Sequence, residues 1–96
     1  GPAGEGVTVT IVEGDGWQIP VAGWRFRKAL LDKWCDGKMR ELIPNRDFPP
    51  AMPFEEIKRR LDRAAFLRDT VTYIWPTGEG GRIRVIMMPV GSSPRG

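Results

Sequence analysis

The sequence predicts an α+β domain in which two β-hairpins bracket two helices, in the order ββ-α-α-ββ. Three observations predict it. Apolar and polar residues alternate with period two in four short runs, two near each end of the chain. Between them, two stretches repeat apolar residues at helical spacing, and glycine or proline clusters fall where turns are needed. Elements of this kind bury one face each by packing the helices on one face of an antiparallel sheet of up to four strands. A winged-helix arrangement is the alternative, because it too ends in a helix and a basic hairpin. Helix-turn-helix units, however, join their helices by a turn of only a few residues, and this chain has a long proline-rich connection there.

Taken in order, Val7 to Val12 alternates as a half-buried strand does, and Glu13-Gly14-Asp15-Gly16 is a turn cluster. Trp17 to Ala22 alternates again and completes the first hairpin, with Pro20 restricting it to a sheet edge or a bulge. Trp24 to Asp36 reads as the first helix: Phe26, Leu30 and Trp34 fall in one stripe, Trp24, Leu31 and Cys35 widen it, and Gly37 supplies a stop. Lys38 to Ile43 fits either one helical turn or a short strand. Pro44 to Pro53 holds four prolines and reads as an extended connection pinned by Phe48 and Met52.

The second helix starts at Pro53-Phe54, with Glu55 and Glu56 complementing its positive end. Phe54, Ile57, Leu61, Ala64 and Ala65 share its inner face. Continued helix would set Phe66 among arginines, so the expectation is that the helix ends near Ala65 and Phe66 turns inward. Thr70 to Trp75 and Arg82 to Met88 form the last hairpin around a glycine-rich tip. Val71, Tyr73 and Trp75 alternate on one side, as do Ile83, Val85 and Met87; of these Val71, Tyr73, Ile83 and Val85 are expected to pack with Val7, Val9 and Ile11 against Leu30, Trp34, Ile57 and Leu61. The other side carries Thr70, Thr72, Arg82 and Arg84 with Ile74, Ile86 and Met88.

At 96 residues the chain is one domain with a modest core: 7–90 globular, with 1–6 and 91–96 as glycine-rich flexible tails. The opening Gly1-Pro2 reads as the scar of a cleaved tag, and the chain as a domain cut from a longer protein. A hydrophobic content of 41% and a charged content of 28% are those of a globular chain. No apolar run reaches the ~20 residues that span a bilayer, and an intracellular setting is expected.

With no histidine and a single cysteine, histidine-dependent catalysis, an internal disulfide and multi-cysteine zinc sites are excluded within the chain. Cys35 reads as a small buried side chain. No metal or small-molecule cofactor is expected, and the domain is read as not an enzyme.

The net charge of +3 is compatible with an anionic partner without requiring one. Arg59 and Arg63 share a helix face, Arg82 and Arg84 share a strand face, and Lys58 lies beside the first pair. If the hairpin folds beside the helix, these cations line one anion-binding groove; otherwise they form a solvated face laced with Glu55 and Glu56 pairs. The loop Pro76 to Gly81 lacks the lysine and hydroxyl of a phosphate-binding loop and reads as a hairpin tip. Trp24 and Trp34 belong to the core pattern. Trp17 and Trp75, each beside a turn, are candidates for an exposed aromatic site.

Two functions follow as expectations. One is a non-catalytic protein-interaction or assembly module that binds another protein, or itself as a homodimer, through a sheet edge. The other is a DNA- or RNA-binding domain using Lys58, Arg59, Arg63, Arg82 and Arg84.

Overall fold

Strands β1 (Gly6–Gly14) and β2 (Trp17–Arg27) form the first hairpin, and a 3-10 turn over Lys28–Leu30 leads into α1 (Leu31–Leu42). Helix α2 (Phe54–Leu67) precedes the second hairpin, β3 (Val71–Gly78) and β4 (Gly81–Val90). The computed structural model describes residues 5–43, 48–78 and 80–90, with backbone alone at 22 and 23. The expectations for 1–4, 44–47, Glu79 and 91–96 lie outside the described residues. Gly6, expected in a tail, opens β1.

The four strands make one antiparallel sheet in the order β2-β1-β4-β3. First and last strands are therefore central neighbours, and the α+β class with its ββ-α-α-ββ order holds. One sheet face carries both helices: Val7, Val9, Val85 and Met87 share a buried cluster with Leu31, Met39, Ile57 and Leu61. This is the two-layer arrangement rather than the winged helix.

Three local expectations are corrected. Trp24 and Phe26 belong to β2, and helix begins only after Arg27. The Trp24-Arg25-Phe26-Arg27 run satisfies a strand period as well as a helical one, and pairing decides it: Val9 opposes Trp24 and Val7 opposes Phe26. Phe26 still meets Trp34, with ring centroids 4.7 Å apart and stacked, but across the strand–helix interface. Leu31, Cys35 and Met39 form the buried stripe of α1, while Leu30 is 47% exposed. That stripe carries the helix through Gly37, where a side chain would meet open space, so Gly37 is interior and Lys38 to Leu42 is helical.

The second correction concerns the face of β1. Between Val9 and Ile11 the ladder shifts register, leaving Thr10 as an extra residue opposite β4. A β-bulge reverses the alternation beyond it. Val12, fully buried, takes the core place expected of Ile11, and Ile11 lies opposite Ile86 on the other face. The Thr10 hydroxyl secures the bulge by donating to the Ile86 carbonyl at 3.2 Å.

The third is at the end of α2. The helix runs to Leu67 and Phe66 stays 67% exposed. Arg68 then takes a left-handed conformation, φ 57° and ψ 49°, and its N–H bonds back to the Ala64 carbonyl. That reversal ends the helix and sends the chain into β3.

Candidate functional site: a groove between α2 and the β3 edge

Helix α2 sits on the sheet through Ile57, Leu61, Ala64 and Ala65. The two alanines bring its last turns close to the sheet, and the αL reversal at Arg68 starts β3 beside them. An open groove of about 1100 Å³ lies between this helix and the β3 edge, with Arg59, Arg63 and Leu67 on one wall and Thr72 and Ile74 on the other. Met52 lines it as well.

Charges on the helix wall are sorted by pairing. Glu56 accepts from Arg59 Nε and Arg60 Nε, each at 3.1 Å. Those hydrogen bonds hold its carboxyl below the usual carboxylate range. Lys58 Nζ reaches Asp32 at 3.1 Å and Glu55 at 3.3 Å, which raises its pKa and ties α2 to α1. Lys28 and Asp62 form a second link to α2 from the turn before α1. Arg63 has no hydrogen-bond or ion-pair partner among the described residues, so its charge is available to the groove.

The strand wall is an edge whose protection has a gap. Ala51 N–H donates to the Ile74 carbonyl at 2.9 Å, which shows that the Ile74 backbone points away from β4. By the alternation of an antiparallel ladder, Thr72 and Pro76 point the same way. Pro76 has no N–H to offer, a common way to blunt an edge. At the other end the Asp69 carboxylate accepts from Thr70 N–H at 2.7 Å. Between these caps, no described residue outside the sheet bonds the outward N–H or C=O of Thr72.

Other expected site residues lie elsewhere. Arg82 and Arg84 sit on the sheet face away from the helices, flanking buried Ile83, and Arg84 Nη1 pairs with Glu13 at 3.1 Å. One groove lined by both arginine pairs does not form, because the sheet lies between them. Trp75 is buried, 5% exposed, and its Nε1–H donates to the Phe48 carbonyl at 2.6 Å. It pins the connection to the sheet instead of meeting solvent. Trp17 is 41% exposed and lies over Gly14, where any Cβ would collide with the indole.

Groups with reactive potential are quenched by burial. The Cys35 thiol is pushed up to about 12, first by desolvation and then by the Asp32 charge. The Tyr73 hydroxyl is buried without a hydrogen-bond partner and is pushed upward, chiefly by the same desolvation. Among the described residues no three acidic, cysteine or histidine side chains gather as metal ligands, and no helix is long and apolar enough to cross a membrane.

Sequence reasoning found Arg59 and Arg63 from their helical spacing but missed Thr72, whose open backbone leaves no mark on residue type. It missed Leu67 too, although the phase of Phe66 among arginines was the available signal that the last turn of α2 carries exposed apolar residues. Comparison with protein-family models, curated proteins and solved structures finds no match, so the site is interpreted from its geometry.

Proposed function

We propose that this domain is a non-catalytic protein-interaction module that adds a short extended segment of a partner polypeptide to the β3 edge. The observation that carries this is the Thr72 backbone left open by the described residues, within a groove whose helix wall presents Arg63, unpaired among them. A strand laid there gains two main-chain hydrogen bonds at Thr72 and a further donor from Ile74 N–H. An acidic residue on the segment would meet Arg63. A second copy is a poorer occupant, since pairing two β3 edges would bring the Arg59 and Arg63 sets of both copies together. The single thiol suits a reducing compartment, and an intracellular setting is part of the same reading.

Nucleic-acid binding has less support. Phosphate recognition draws on several converging cations, and the two arginine pairs occupy separate layers.

The test is an NMR titration with a short peptide of alternating valine and glutamate. The expected result is a shift and new exchange protection at the Thr72 amide, with affinity falling about tenfold in Arg63→Glu, or about 1.4 kcal/mol. Thr72→Pro removes the donor at an edge position that tolerates proline, so it should abolish binding without changing the circular dichroism spectrum. Undiminished binding by the folded Thr72→Pro protein would overturn the proposal. Oligonucleotide binding at about 50 mM salt that is lost at about 200 mM would favour the nucleic-acid reading instead.

A further inference from the structure

The sheet has a second face that no element of the described chain covers. Its middle is aliphatic: Ile11 lies opposite Ile86, with Ile74 and Met88 as neighbours on β3 and β4. These side chains are half-buried by one another, and Met88 reaches 36% exposure. The aliphatic centre has cations at both ends. Arg25 stands at the β2 edge, opposite Thr8, which in turn opposes Met88. Arg82 stands at the far end, at the start of β4 opposite Pro76. Neither has an ion-pair partner among the described residues, whereas Arg27 pairs with Glu5 and Arg84 with Glu13.

We infer that this face seats an amphipathic helix of a partner protein, with acidic residues at both ends of an apolar stripe. The strand spacing and rise separate Arg25 from Arg82 by on the order of 20 Å, which is three to four helical turns. An apolar centre with an arginine-bearing rim is the composition of a protein interface. A helix is the element that this sheet already accepts on its other face.

Charge argues against a second copy. Two such faces pressed together would set Arg25, Arg27, Arg82 and Arg84 against themselves, with Glu5 and Glu13 the acids paired to them among the described residues. Ring chemistry argues against single-stranded nucleic acid. Base stacking needs aromatic platforms, and Trp24, Phe26, Tyr73 and Trp75 all belong to the opposite face.

This surface shares Ile74 with the β3 groove but lies across the sheet from α2, and one experiment separates the two. The full chain is titrated with a synthetic helical peptide bearing glutamates at both ends of a leucine stripe, and with a control carrying lysines at those positions. The acidic peptide should shift the amides of Thr8, Ile11, Ile86 and Met88, leave Arg63 and Leu67 on α2 unmoved, and bind at least tenfold more tightly than the lysine control. In the double variant Arg25→Glu, Arg82→Glu, whose substitutions are both exposed, that preference should reverse.

Four results would overturn the inference. They are equal affinity for the two peptides, shifts confined to the groove, tighter binding of a single-stranded oligonucleotide to this face, or concentration-dependent dimerisation abolished by Ile86→Lys.

Discussion

Thr10 adds one residue to β1, and with it the roles of Ile11 and Val12 exchange. A strand pattern read at strict period two sends Ile11 inward, because residue type alone does not separate two adjacent β-branched aliphatics. The extra residue is visible only in the pairing with β4, where two steps on β1 match one on β4. The consequence is measurable. Val12→Ala should destabilise the fold by about 1.5–3 kcal/mol, through lost burial plus a residual cavity. Ile11→Ala removes a larger side chain from a half-open face and should cost less than about 1 kcal/mol. Chemical denaturation of the two variants checks this, and an Ile11→Ala loss exceeding that of Val12→Ala would contradict the assigned faces. Trp75 teaches a similar lesson. Its place beside a turn suggested exposure, but a turn residue on the helix-facing side of a strand is still core.

At the scale of elements, α2 was legible almost to its last turn, because its apolar residues keep one phase from Phe54 to Ala65. The boundary between β2 and α1 was not. Trp24, Phe26, Leu30 and Trp34 satisfy two periods at once, and Gly37 resembles a helix stop while lying on the outer side of one. Two substitutions should therefore stabilise the protein. Gly37→Ala fills open space in a helix interior and should add about 0.5–1 kcal/mol. Arg68→Gly relieves a left-handed backbone that costs an L-residue about 1–2 kcal/mol. Thermal melts of each variant test this, and a lowered melting temperature for Gly37→Ala would contradict the continuous helix.

The first turns of α2 also carry a pH dependence. The folded carboxyl of Glu56 lies below its ordinary value of 4.5 because Arg59 and Arg60 donate to it. A depressed carboxyl stabilises the fold above its unfolded pKa, and that contribution disappears as pH falls through the folded value. The melting-temperature difference between the native protein and Glu56→Gln should be constant above about pH 5 and shrink below about pH 4. A difference independent of pH would remove the ionic role.

For the whole molecule, the decisive contact is the pairing of β1 with β4, which joins the two ends of the chain at the centre of the sheet. It carries the longest loop closure in the fold and leaves β2 and β3 as edges. Native-state hydrogen exchange should therefore be slowest in β1 and β4. It should be fastest, among strand amides, at the outward Thr72 N–H. Protection at Thr72 equal to that at Val85 would mean that the edge is already covered.

The sequence by itself determined the class, the number and order of elements, the inner face of α2 and the two faces of the last hairpin. Each of these is a local period reporting which side of one element meets water. It also yielded half of the candidate site, since Arg59 and Arg63 share a helix face whatever packs beneath them. Tertiary structure alone decided that β1 lies beside β4 and that Thr10 bulges. It also decided that Ala51 and Pro76 close most of the β3 edge and leave Thr72 open. Pairing partners and edge coverage depend on contacts between residues far apart in the chain, and no periodicity within a single element records them.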